Sequence, residues 1–79
     1  MSTLEQLREE AGLGGVLAPL ANEILVIHEN YTNGELSREE FEFLLEQIAS
    51  VRAQQDLAQD EIACRWIVSA VSALISLTP

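Results

Sequence analysis

The sequence predicts an all-α domain: a helical hairpin preceded by a short N-terminal helix and followed by a long or broken C-terminal one. Three observations carry that expectation. Apolar side chains recur at spacings of three and four through residues 16–31 and again from Phe41 onward. Asn33-Gly34 and Ser37 stand between the two runs as a stop and a start. No Gly or Pro interrupts the chain from Arg38 to Thr78, so nothing there forces the backbone out of a helix.

A first helix is expected over residues 4–11. Ser2 or Thr3 caps it, Glu5 in the first turn favours the helix dipole, and Gly12 is the expected stop. Gly12-Leu13-Gly14-Gly15 then reads as a hinge. The second helix, 16–31, starts near Val16 or Pro19, because proline fits a first turn and not a helix interior. Leu17, Leu20, Ile24, Ile27 and Tyr31 share one face, which Leu25 and Val26 broaden. Gly34 suits a left-handed cap at its end.

The third helix has the clearest start. Ser37 as N-cap and Glu40 three residues on make a capping box, and Leu36 with Phe41 makes a hydrophobic staple. Phe41, Leu44, Leu45, Ile48 and Val51 form an apolar stripe. Glu35, Glu39, Glu42 and Glu46 lie within about 60° of one another on the other side. From Ser37 the helical pattern extends over residues 37–77. Ile62, Trp66 and Ala70 return to the sector of Leu44, Ile48 and Val51, which favours one continuous helix. The alternative breaks it near Gln54-Gln55, with Asp56 capping a new helix and Gln59 closing a second capping box.

Toward the C-terminus, Ile67, Val68, Val71, Leu74 and Ile75 spread apolar groups around the whole cylinder. Ser69, Ala70, Ala73 and Ser76 would let another helix approach closely. A helix apolar on all sides must be buried on all sides, and 79 residues offer little to wrap it. Self-association or docking into a larger assembly is therefore expected, through Trp66, Ile67, Ala70, Val71, Leu74 and Ile75.

Composition narrows the function classes. Thirteen acidic side chains face four arginines and no lysine, a net charge of −9, which speaks against direct nucleic-acid binding. With 48% apolar residues the chain has material for one core. A single cysteine excludes an internal disulfide and a thiolate metal cluster. The N-terminus lacks a basic region and an unbroken apolar one, so a secretory signal is not expected. The apolar run Ile62–Leu77 would reach about 24 Å as a helix, short of the ~30 Å of a bilayer core. A cytoplasmic or virion-associated protein is expected, neither secreted nor membrane-spanning.

No constellation marks out chemistry. With Gly34 at position 6 of a calcium loop, Glu29, Asn33, Ser37 and Glu40 fall at ligand positions, yet Tyr31 offers no carboxylate. A turn, a cap and a staple explain the same residues and are preferred. Cys64 reads as a packed thiol, and His28 beside Glu29 as a dipole partner at a helix end. Gly12, Gly14 and Gly15 follow no strand and precede no lysine, so they make no phosphate loop. The expectation is a non-enzyme without cofactor or metal.

Each arginine has an acidic neighbour at helical spacing: Glu5–Arg8, Arg38–Glu42, Arg52–Asp56 and Glu61–Arg65. The acidic face Glu39, Glu42 and Glu46 is either simply solvated or turned toward a basic partner.

The segment from Tyr31 to Glu46, about a fifth of the chain, resembles turn-and-helix segments common in small acidic helical proteins of tailed bacteriophages. The resemblance implies a virion component or phage accessory factor and brings no functional residue with it. Together these readings predict a non-catalytic helical interaction or assembly protein with protein partners. The alternative is an acidic inhibitor that mimics nucleic acid and blocks a basic groove on a partner.

Overall fold

The first helix, α1 (Thr3–Leu13), begins where the Ser2 hydroxyl accepts a hydrogen bond from the Glu5 amide at 3.1 Å. It runs through Gly12 rather than stopping there. A single glycine costs a helix only about 1 kcal/mol, and termination waits for Gly14, whose φ of 71° a side chain would resist. The computed structural model describes Ser2 to Pro79.

Helix α2 (Ala18–Thr32) carries Pro19 in its first turn and starts two residues later than position 16. Its end satisfies the orphan carbonyls with a Schellman motif. The Gly34 amide donates to Tyr31 O at 3.1 Å and the Glu35 amide to Asn30 O at 2.9 Å, with Gly34 at φ 80°. Only residues 33–37 then separate α2 from α3 (Arg38–Gln47). At the start of α3 both capping-box bonds form: the Glu40 amide donates to Ser37 Oγ at 3.1 Å, and the Ser37 amide to Glu40 Oε1 at 2.9 Å.

Beyond Gln47 the helix widens into a π-helical turn, Ile48–Arg52, and continues as a short α4 (Ala53–Asp56). The extra residue in that turn matters for packing. Phe41, Leu45 and Ile48 are buried at ordinary helical spacing, and the next buried position is Ala53, five residues on. Val51, expected in the stripe, is exposed. Arg52 swings outward and bonds Glu23 of α2 at 2.9 Å and Asp56 at 3.2 Å.

The chain breaks at residues 57–59, later than the Gln54-Gln55 alternative and against a continuous helix. Leu57 turns inward to 3% exposure, and the Asp60 amide donates to its carbonyl at 3.0 Å. Asp60, not Asp56, then caps α5 (Glu61–Leu77) by accepting from the Ala63 amide at 3.0 Å. The break resets the helical phase. Ile62, which continuity would place in the buried sector, is 82% exposed.

The core is one cluster. Leu7 of α1 meets Leu20, Ala21 and Ile24 of α2, Phe41 and Leu45 of α3, and Ala63, Ile67, Val71 and Leu74 of α5. Helix α5 packs against every other element, while α1 lies chiefly on α2. The described residues are all helix and turn, and their radius of gyration, 11.7 Å, is that of a compact domain of this length, about 11.6 Å.

Candidate functional site

Six residues of α5 were expected to form an interface, and their placement overturns the reason for expecting it. Ile67 is fully shielded within the single chain, and Ala70, Val71 and Leu74 are buried with it. Trp66 and Ile75 are half-buried against the same core. That reason fails because α5 does have a polar face. Arg65, Ser69, Ser72 and Ser76 span about 60° of the helix circumference at about 100° per residue, and all four are exposed. Serines taken for close-packing positions are the solvent side. The remaining five short elements suffice to cover the other side, helped by Ala63 and Ala70, whose small side chains allow close approach. Trp66 lines a hollow of about 190 Å³ together with Thr3, Gln6, Ser69, Ala70 and Ala73.

The acidic face on α3 is present but divided. Glu42 is half-buried and bonded to Arg38 Nε at 2.6 Å, which leaves Glu39 and Glu46 as its exposed members. Neither takes part in an ion pair among the described residues. Sequence reasoning missed what lies between them. Phe43 is 61% exposed, diametrically opposite the buried Phe41–Leu45 stripe, with Glu39, Glu40 and Glu46 as its neighbours at i−4, i−3 and i+3. An open depression of about 430 Å³ runs beside it, lined by Ser37, Glu39, Glu40, Phe43 and Leu44. Glu40 donates nothing to this surface but charge. Hydrogen bonds from the Ser37 amide, and then from its hydroxyl, hold its carboxyl below the ordinary carboxylate range, so it stays ionised. The signal was in the sequence: an aromatic residue on the side of the helix that otherwise holds carboxylates.

A second cluster joins the C-terminal end of α5 to the α2–α3 hairpin. Arg38 donates to the carbonyls of Ile75 and Thr78, each at 2.7 Å, and so neutralises the C-terminal end of α5. Its guanidinium lies 5.3 Å from the Phe41 ring and 5.7 Å from the Tyr31 ring, which stack on each other at 4.3 Å. The Tyr31 hydroxyl donates to the Pro79 carbonyl at 2.7 Å. These groups are mutually satisfied, and their arrangement fastens α5 to the α2–α3 hairpin. Of the expected arginine pairs, those of Arg38, Arg52 and Arg65 form, whereas Arg8 has no ion pair among the described residues.

His28 packs edge-on to Phe41 at 6.3 Å and lies near Arg8. Burial, and secondarily the Arg8 charge, push its pKa below the ordinary imidazole value. Cys64 is a partly buried free thiol on α5. Among the described residues no three His, Cys, Asp or Glu side chains converge on a metal position. A twelve-residue calcium loop has no room either, since Glu29 to Thr32 belong to α2. No helix is long and apolar enough to cross a membrane among the described residues.

In comparisons with known proteins, no family model matches the chain, and no curated protein or solved structure is significantly similar to it.

Proposed function

We propose that this chain is a non-catalytic helical interaction protein that works with protein partners inside a larger assembly. The observation that supports the reading is Phe43. A closed core leaves no structural need for a large aromatic side chain on the outer side of α3, where exposure forfeits the benefit of burial. Aromatic residues held out of a core in this way are the common anchors of protein interfaces. With Ile67, Val71 and Leu74 buried in the core, this reading seeks the contact surface on α3 rather than α5. A setting in a tailed-phage particle or accessory complex belongs to the same proposal and rests on the resemblance of the segment from Tyr31 to Glu46.

The test is the native mass of the tagged chain recovered from cells that make it. The proposal expects a complex of fixed stoichiometry, heavier than the 8.7 kDa chain. Recovery as an isolated 8.7 kDa species would contradict it.

The unpaired Glu39 and Glu46 favour one other reading, an acidic inhibitor whose carboxylates stand in for phosphates in a basic groove. Phe43 has no part in that role. Under that reading Glu39→Lys with Glu46→Lys abolishes binding and Phe43→Ala leaves it intact.

A further inference from the structure

Resting on the interaction role proposed above, we infer that the outer face of α3 docks a short, basic, amphipathic helix from another protein. Its aliphatic side chains would sit on Phe43 and its lysines or arginines would reach Glu39 and Glu46. Three features of the surface select that occupant.

The first is shape. Phe43 and the half-buried Leu44 give the depression an apolar floor, and Ser37 and Glu39 close one end. Glu39 and Glu46 are seven residues apart, about 10 Å along the axis, and Phe43 lies between them. A helix laid along α3 presents side chains at i and i+7 with the same separation, with an apolar residue at i+3 or i+4 between them.

The second is charge. Glu39, Glu40 and Glu46 carry no compensating cation among the described residues, on a chain of net charge −9. An anionic occupant, whether nucleic acid or an acidic lipid surface, is repelled.

The third excludes a second copy. The chain has no lysine, and Arg38, Arg52 and Arg65 are already bonded to Glu42, to Glu23 and Asp56, and to Glu61. Among the described residues Arg8 is the one arginine without an ion pair, so a second copy has few cations to set against three carboxylates, and like charge opposes the encounter.

The probe is a fluorescein-labelled amphipathic helical peptide made of leucine and lysine only, with a leucine–glutamate peptide as control. Binding to the full chain is read by fluorescence anisotropy. The lysine peptide is expected to bind and the glutamate peptide not to. Phe43→Ala is expected to weaken binding about tenfold or more. Glu39→Gln with Glu46→Gln is expected to weaken it similarly and to flatten its loss between about 0.01 M and about 0.15 M salt. Ile62→Ser, at the most exposed apolar site of α5, should leave it unchanged. Phe43 and Ile62 both lie outside the core, so these variants keep the wild-type helical circular dichroism.

Absent binding, equal losses in Phe43→Ala and Ile62→Ser, or dependence on the carboxylates without Phe43 would each overturn the inference. So would a wild-type dimer, seen by light scattering, that Phe43→Ala dissociates. Native mass keeps the two proposals separable. A stoichiometric complex that forms regardless of Phe43→Ala removes this docking face and leaves the interaction role standing, whereas recovery of the chain alone removes the role itself.

Discussion

Replacing Ile67 by alanine tests whether one copy of this chain closes its own core. Ile67 has 0% exposure on the α5 face that meets the rest of the domain, so the substitution opens a cavity with no route for solvent to fill it. Buried Ile→Ala changes cost about 2–5 kcal/mol. A domain of 79 residues has about 4–12 kcal/mol in all, so the loss is a large share of its stability. Ile62→Ala on the same helix, at 82% exposure, is expected to stay within about 0.5 kcal/mol. Urea unfolding followed by far-ultraviolet circular dichroism measures both. At a slope near 1 kcal/mol per molar urea, the Ile67→Ala midpoint should fall by about 2 M or more. The wild-type midpoint should be the same at two protein concentrations tenfold apart. A loss under about 0.5 kcal/mol for Ile67→Ala would show that the site is not buried, and a wild-type midpoint that rises with concentration would show that α5 is covered between copies; either result refutes the reasoning.

Three further outcomes follow from the same contacts. Ser37→Ala removes the α3 cap and should cost about 1 kcal/mol in the same urea assay, with Ser37→Asp recovering most of it. It should also weaken the acid dependence that Glu40 contributes. The folded-state pKa of Glu40 is depressed, so its contribution is present above the ordinary carboxylate range and lost as pH falls through the lowered value. Arg38→Gln should speed amide hydrogen exchange at the C-terminal end of α5, near Leu77 and Thr78, and leave the exchange of Leu20 and Ile24 unchanged. His28 is held below its ordinary value of 6.5, so the unfolded chain binds its proton more tightly. Its contribution is full above pH 6.5 and declines as pH falls from there through the lowered folded value, and thermal melts of His28→Gln across that window should be flatter than wild type.

Local chemistry made the hairpin legible. The Ser37–Glu40 box and the Gly34 stop act over four and six residues, so their sequence signature is also their structure. The same was true of the first cap at Ser2 and of the apolar faces of α2 and α3. What could not be read locally was the consequence of the π-helical turn. Its extra residue moves the buried stripe from Val51 or Arg52 to Ala53, and only then can Leu57 turn in and Asp60 start α5 at a new phase. A continuous helix would have kept Ile62 inward. Counting apolar groups around α5 also misled, because Ser69 and Ser76 read as small residues, whereas with Ser72 they form a polar stripe continuing Arg65. The tertiary partners of Arg38 lie nearly forty residues away in the chain, beyond any spacing rule. Phe43 sits on the side of α3 that the carboxylates mark as solvent-facing, and only the closed core shows that it has no inward place.

The proposal divides the labour: α5 holds the domain together from inside, and the outer face of α3 is the surface offered to a partner. A titration of the isotopically labelled chain with the leucine–lysine peptide, followed by amide proton–nitrogen correlation spectra, reads that division residue by residue. The account predicts shifts concentrated at Ser37 to Gln47, with Phe43 among the largest, and little change from Trp66 to Ile75. Shifts centred on Trp66 to Ile75, with α3 silent, would contradict it.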